Sequence, residues 1–283
     1  VHTTVYRNGI PANLPGTAWY DFGTELVTGQ EVKIISGANS VVYGSGSIAG
    51  TILIKDTIQK SATASFGTDS NRYLSLAPTN WLQYTAMEVK QGSARNDNVE
   101  EDIYSNRNAK LNFDLQDFTI TMNYTDYTYD YDNCYDSQFE ASNDCEQDGE
   151  KYNIAVNNEY LTIGRTHDKS EYYLRVGDQT NLSQKLQVAY GLDASHEQYE
   201  TLSDDYNRDN YGAYLNINAD FAMKYNFGFR VGNEDQNALR FGLESGPFFL
   251  NVGNSFRRPT LYEQNGDGYV DANLDLLPEE AVG

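Results

Sequence analysis

Apolar and polar residues alternate along most of this chain. Met223, Tyr225, Phe227, Phe229 and Val231 are apolar, and Lys224, Asn226, Gly228 and Arg230 between them are polar or small. The preceding segment repeats the pattern, with Tyr211, Ala213, Leu215, Ile217, Ala219 and Phe221 set against Gly212, Tyr214, Asn216, Asn218 and Asp220. Ala109, Leu111, Phe113 and Leu115 continue it, as do Phe118, Ile120, Met122 and Tyr124. Such a period of two is the signature of a strand with two unlike faces. Between Lys60 and Arg258 the pattern predicts about thirteen strands, many of them long.

The connections between these strands alternate in length. Leu115-Gln116-Asp117-Phe118, Ala219-Asp220-Phe221 and Leu243-Glu244-Ser245-Gly246-Pro247 are tight, whereas residues 96–102, 132–149 and 203–210 read as long acidic loops. Short turns on one side and long loops on the other are the layout of a membrane-spanning β-barrel. Periodicity alone cannot say which face is inside. The polar face carries Asn, Asp, Lys, Arg and Gly. Tyr124, Tyr211, Phe221 and Phe118 read as strand-end aromatics, the arrangement of an interfacial girdle. An odd strand count does not close an ordinary bacterial barrel.

Residues 1–57 differ, and predict a small mixed, Gly-rich unit. Tyr6 to Pro11 reads as a strand into a turn, Gln30 to Ser36 as a second strand, and Thr51 to Lys55 as a third. Within this unit, Val41-Val42-Tyr43-Gly44-Ser45-Gly46-Ser47-Ile48-Ala49-Gly50 has the Gly-x-Gly-x-x-Ala spacing of a dinucleotide-binding turn. That turn must open a helix. Here Thr51-Ile52-Leu53-Ile54-Lys55 follows at once, β-branched and strand-like, so a cofactor site is not expected.

Composition narrows the class further. The chain has 283 residues, with 41 acidic and 20 basic side chains and a formal charge of -21, which excludes a nucleic-acid partner on electrostatic grounds. Tyr is abundant, at 23 residues, as in strand-rich chains. No apolar run is long enough for a spanning helix, which leaves a barrel open. Val1-His2-Thr3-Thr4-Val5 lacks the basic start and apolar core of a signal peptide, so either the protein is not exported or its natural start lies elsewhere. Cys134 and Cys145 have no His or further Cys nearby to build a zinc site, and read as a local disulfide or as two unpaired thiols.

Residues 30–57, QEVKIISGANSVVYGSGSIAGTILIKDT, resemble the end of the plug domain of TonB-dependent outer-membrane receptors, in the pattern "ieii-rGp-svlYGsgaigGvInIitk". Val32, Ile34, Gly37, Ser40, Val42, Tyr43, Gly44, Ile48, Gly50, Ile52 and Ile54 match. Val5-Tyr6-Arg7-Asn8-Gly9-Ile10-Pro11-Ala12-Asn13 resembles the plug's "v-iDGvpvn" strand and turn. Asn254-Ser255-Phe256-Arg257-Arg258-Pro259-Thr260-Leu261-Tyr262-Glu263, with Asn273-Leu274-Asp275-Leu276-Leu277-Pro278-Glu279, resembles the family's "fraPtlyEl…NpnLkPE" on a mid-barrel strand and loop. Ser36, Ala38 and Asp275-Leu276 depart from the pattern.

The resemblance implies a mainly β fold: a transmembrane antiparallel β-barrel, present in part, with part of a small α+β plug. Residues 1–57 would be the C-terminal part of the plug and residues 58–283 the first part of the barrel. The chain then reads as an internal fragment of a longer receptor in the outer membrane of a Gram-negative bacterium. Its glycines would serve turning and close packing against the barrel wall.

The implied function is import of a scarce ligand, an iron–siderophore complex, haem or cobalamin, with no reaction catalysed. Energy would come from the inner-membrane TonB–ExbB–ExbD complex acting on the plug, and the outer surface would meet outer-membrane lipid. The apical loop at residues 12–20 supplies candidate ligand-binding residues Asn13, Leu14, Thr17, Trp19 and Tyr20, a mix of amide, hydroxyl, apolar and aromatic groups. Residues 126–150 are dense in carboxylates, and Asp130, Asp132, Asp136, Asp144 and Asp148 are candidate Ca²⁺ ligands by composition alone, without EF-hand spacing. The acidic balance disfavours a strongly anionic chelate. The alternative is a β-rich surface binding protein that does not transport.

Overall fold

The computed structural model describes residues 2–14, 16–18, 20, 30–68, 71–92, 101–131, 134–135, 141–142, 145–167, 171–201, 204–233, 236–266 and 270–283. Two main sheets result. The small one holds β1 (Thr3–Arg7), β2 (Ile10–Pro11), β3 (Gln30–Ser36) and β4 (Gly50–Asp56), in the order β2-β1-β4-β3. β1 and β4 are parallel and the other pairs antiparallel. A one-turn helix, α1 (Ser40–Tyr43), precedes β4.

The large sheet is an antiparallel meander. It runs through β5 (Ser61–Phe66), β6 (Arg72–Ala77), β7 (Leu82–Gly92), β8 (Glu101–Leu115) and β9 (Phe118–Tyr131). A separate hairpin follows, β10 (Cys134–Tyr135) with β11 (Ala141–Ser142). The meander resumes with β12 (Cys145–Asn157), β13 (Leu161–His167), β14 (Glu171–Ser183), β15 (Leu186–Glu200) and β16 (Asp205–Asp220). It ends with β17 (Lys224–Gly232), β18 (Ala238–Ser245), β19 (Phe248–Arg257), the short helix α2 (Leu261–Asn265) and β20 (Glu279–Val282). Among the described residues the sheet has 14 strands, each paired with its sequence neighbour apart from the excursion of β10 and β11. β20 pairs with β19 within the stretch read above as loop.

The strands also reach into the segments read as acidic loops. β12 pairs in unbroken register with β9 from Cys145↔Tyr131 to Asn157↔Thr119, so Asp126, Asp130, Glu146, Asp148 and Glu150 are strand residues. β16 likewise begins at Asp205. Carboxylates disfavour strands, but the Tyr and Thr residues alternating with them, Tyr124, Thr125, Tyr127, Thr128 and Tyr129, favour them. Cross-strand pairing then decides the outcome. Tyr124 consequently lies in the middle of β9, away from its ends.

The faces are inverted relative to a protein in water. On β8 and β9, Asn106, Asn108, Lys110, Thr121, Asn123 and Thr125 are buried, while Phe113, Met122 and Tyr124 are exposed. On β17, Arg230 is buried, and Phe227, Phe229 and Val231 are exposed. Leaving a large apolar side chain in water forgoes roughly 1.5–3 kcal/mol each. A continuous band of them, around a polar interior, is stable facing hydrocarbon. No helix is long and apolar enough to cross a membrane among the described residues, so any crossing is made by strands.

Candidate functional site

The small sheet is fastened to the concave polar face at three levels. The deepest is centred on Asp56, the last residue of β4, where the chain leaves one sheet for the other. Arg7 donates to both of its carboxylate oxygens, Nε to Oδ2 at 2.8 Å and Nη2 to Oδ1 at 2.9 Å. Asn8 Nδ2 (2.7 Å) and Gln30 Nε2 (3.0 Å) donate from the small sheet, and Lys110 Nζ reaches across from β8 at 3.0 Å. The Asp56 backbone N–H donates to Asn8 Oδ1, and its carbonyl accepts from Asn112 Nδ2. Arg7 and Lys110 are each only 1% exposed. Burial alone would push the Asp56 carboxyl up, but Arg7, Lys110 and the Asn8 amide outweigh it and hold the carboxyl well below the usual range.

The middle level is the hinge between β3 and β4. Arg175 Nη2 donates to the Val42 carbonyl (3.0 Å), Arg240 Nη1 to Asn39 Oδ1 (3.0 Å), and the Arg258 backbone N–H to Ser45 Oγ (2.9 Å). Arg230 grips Asp193 through both Nη atoms, at 2.8 and 2.5 Å, beneath the open face of Gly44. Tyr6, Tyr43 and Tyr173 pack edge to face around it. Two of the glycines here are structurally required. Gly46 turns the chain at φ +85°, and a Cβ at Gly50 would lie 2.6 Å from the Ile35 carbonyl oxygen. β4 follows Gly50 directly, with no helix to receive a phosphate.

The upper level lies on the side of the long connections, where Gly16 meets β15 and α2. Tyr262 N–H donates to the Gly16 carbonyl, and Gly16 lies against the Tyr199 ring. Asn13 is spent on its own loop: Oδ1 accepts from Val5 N–H at 2.7 Å, and Nδ2 donates to the Thr3 and Ala18 carbonyls. Leu14 lines the cavity below, and Tyr20 packs on the cluster of Val5, Ala12 and Ile54. The Thr17 hydroxyl is buried, with no hydrogen-bond partner among the described residues. Trp19 lies outside the described residues.

That cavity, about 130 Å³ between loop and wall, is lined by Tyr6, Tyr43, Glu171, Glu197, Arg208 and Arg230 among others. It is well below the roughly 300–1,000 Å³ of small-molecule sites and too small for a chelate. The nearby Arg257 is fixed by Glu263 and Glu279. Thr260 and Glu263 form a capping box at the start of α2. The Arg257 guanidinium beside Glu263 pulls that carboxyl down.

Of the acidic candidates, Asp130 and Asp148 lie on the adjacent strands β9 and β12, and Asp130 Oδ2 accepts from Ile103 N–H at 3.0 Å. Asp132, Asp136 and Asp144 lie outside the described residues. Among the described residues no group of three or more His, Cys, Asp or Glu is placed to hold a metal. Cys134 and Cys145 are joined by a disulfide that closes the hairpin above β9 and β12.

The fastening residues Arg7, Asp56, Lys110, Arg175, Asp193 and Arg230 were not singled out from sequence. Their signal is parity. Lys110 shares the inward parity of Asn106 and Asn108, and Arg230 that of Asn226 and Gly228, which identifies them once the polar face is known to be the inner one.

No protein-family model and no curated protein matches the chain. Solved structures do. The siderophore receptor PirA from Acinetobacter baumannii superposes with a TM-score of 0.66 at 11% identity, over 99% of this chain and 59% of that one. The ferric enterobactin receptor PfeA from Pseudomonas aeruginosa, in complex with enterobactin, gives 0.65 at 11% identity, over 99% and 61%. The FrpB iron transporter from Neisseria meningitidis gives 0.61 at 12% identity, over 92% and 57%. The chain thus spans well under two thirds of these structures, and at such identities the similarity is one of fold. With its inverted 14-stranded sheet wrapped around a small mixed sheet, the chain has the partial-barrel fold of TonB-dependent outer-membrane siderophore receptors.

Proposed function

We propose that this chain is part of an outer-membrane receptor that imports a scarce metal chelate or cobalamin-like ligand, driven by the TonB–ExbB–ExbD complex. The observation that carries this reading is the small sheet bound to the polar face of the large one by the buried Lys110–Asp56 ion pair and by Arg175 and Arg240, which donate to the Val42 carbonyl and to Asn39 Oδ1. In a closed barrel a ligand of siderophore size would pass only when the small sheet moves. Moving it breaks several buried charge-assisted bonds, each worth about 1.5–3 kcal/mol. That cost calls for an external source of work. The apical loop is the first place to seek ligand contacts, with Leu14, Thr17 and Tyr20 among the side chains to test. Because enterobactin occupies one of the similar receptors, an iron–siderophore is the first ligand to try.

The test is uptake by bacteria producing the full-length protein, offered radiolabelled iron–siderophores, haem and cobalamin in turn. Accumulation of one of them, abolished by collapsing the proton-motive force, is expected. Surface binding with no accumulation in energised cells contradicts the proposal and is the behaviour of a binding protein that does not transport.

A further inference from the structure

The outward face of the large sheet changes character at one level. Toward the long connections, Leu74 on β6 is followed by Arg72, Ala86 on β7 by Glu88, Ala109 on β8 by Arg107 and Tyr124 on β9 by Asp126. Apolar side chains below and charged ones above mark the boundary between hydrocarbon and headgroups in a membrane-spanning wall. Long connections lie on the cell exterior in such walls, so these headgroups are those of the outer leaflet.

A groove of about 380 Å³ crosses this boundary on β5 to β8. Its lower part is apolar. Ala64 and Ala86 stand on either side of Leu74 in one cross-strand row, and their short side chains leave a trough below Phe66, which is 82% exposed. Its upper part carries Arg72 and Arg107. Arg72 lies 3.5 Å from Glu88 and Arg107 lies 3.8 Å from Asp126, too far for well-formed hydrogen bonds. The interior pairs of Lys110 and Arg208 close to 3.0 and 2.7 Å. The two exposed arginine pairs therefore contribute little and leave guanidinium donors open. Among the described residues lining the groove, Glu88 is the one carboxylate against two guanidiniums, and Asp126 meets Arg107 from outside it.

Any groove on a lipid-facing surface takes up acyl chains, so the rim sets the selectivity. Guanidiniums bind phosphate through paired N–H donors. We propose that Arg72, Arg107 and the trough along Leu74 form a site for one lipid of the outer leaflet with an anionic phosphate headgroup. The phosphate meets the two guanidiniums, and an acyl chain lies over Ala64, Leu74 and Ala86. The site rests on the membrane-spanning reading of the wall and is independent of transport.

The test uses purified full-length protein in non-ionic detergent, with bound lipid counted by native mass spectrometry. Phosphatidic acid, phosphatidylcholine with the same chains and inorganic phosphate are offered in turn. One saturable phosphatidic acid is expected, displaced neither by phosphatidylcholine nor by a large excess of inorganic phosphate. Combining Arg72→Gln with Arg107→Gln should weaken it by about tenfold or more. Ala86→Phe should also weaken it, because the new ring fills the trough. Equal retention of the two lipids, displacement by inorganic phosphate, or undiminished binding in the double arginine variant overturns the proposal. The preference between lipids is read on the unmutated protein, so it decides even where a variant fails to accumulate. Full-length protein that stays in solution without detergent would instead overturn the membrane reading, and this site with it.

Discussion

Replacing Asp56 with asparagine (Asp56→Asn) is expected to loosen the small sheet from the wall at its covalent junction. The substitution leaves Arg7 and Lys110, both fully buried, facing one another without their carboxylate. Removing one partner of a buried ion pair costs about 3–5 kcal/mol. The expected readouts are a lowered midpoint for melting of the small sheet and increased passage of a bulky hydrophilic antibiotic into cells producing the protein.

Adding Lys110→Met should recover part of the loss, since one uncompensated cation is then gone, and a double-mutant cycle would isolate the coupling. Asp193→Asn is the control: it breaks a somewhat less buried pair that lies wholly within the wall. A depressed carboxyl contributes stability that is present above its unfolded value of about 4 and is lost only as pH falls through the lower folded value. Acidification from pH 7 to 5 should accordingly leave the Asp56 tie intact in the unmutated protein. An Asp56→Asn variant with an unchanged midpoint and unchanged permeability would contradict this role.

The second large effect is expected on the outer face of the same wall. Leu192, 63% exposed in the middle of β15, points away from the polar interior. Leu192→Lys should cost about 2–4 kcal/mol of folding stability in a bilayer, the range for a charge near the midplane of a barrel. Gln187→Lys lies on the same strand with the opposite parity, beside Asn218 and Asn181 in the polar interior. It should change stability by no more than about 0.5 kcal/mol. Urea-dependent folding into lipid vesicles measures both. Equal tolerance at the two positions would mean that the apolar face meets water.

The strands were legible in the sequence because side chains alternate strictly between two faces. Which face is inner was not, since a period of two is symmetric between them. This ambiguity concealed Lys110, Arg230 and Asp193, each of which reads as an ordinary solvated charge until the polar face closes on the small sheet. The acidic reach from Cys145 to Gly149, with Glu146 and Asp148, was misread as loop. Its carboxylates argue for solvent, and its register with the opposite strand is information no local window holds.

α1 was missed for a similar reason. Four residues, two of them Val, have no helical propensity of their own, and tertiary contacts from Phe256 and Arg175 hold the turn. Asn13, a candidate ligand contact in the sequence reading, is engaged in bracing the backbone of its loop and of β1.

The most direct test of the whole assignment is single-cysteine substitution along β17, one position at a time, in the full-length protein in its native membrane. Each cysteine is challenged with a water-soluble thiol reagent and with a lipid-confined one. Tyr225, Phe227, Phe229 and Val231 should react from the lipid phase and resist the aqueous reagent, and Asn226, Gly228 and Arg230 should resist the lipid reagent. Aqueous reactivity at the four apolar positions, or no alternation along the strand, would contradict a membrane-spanning wall with a polar interior.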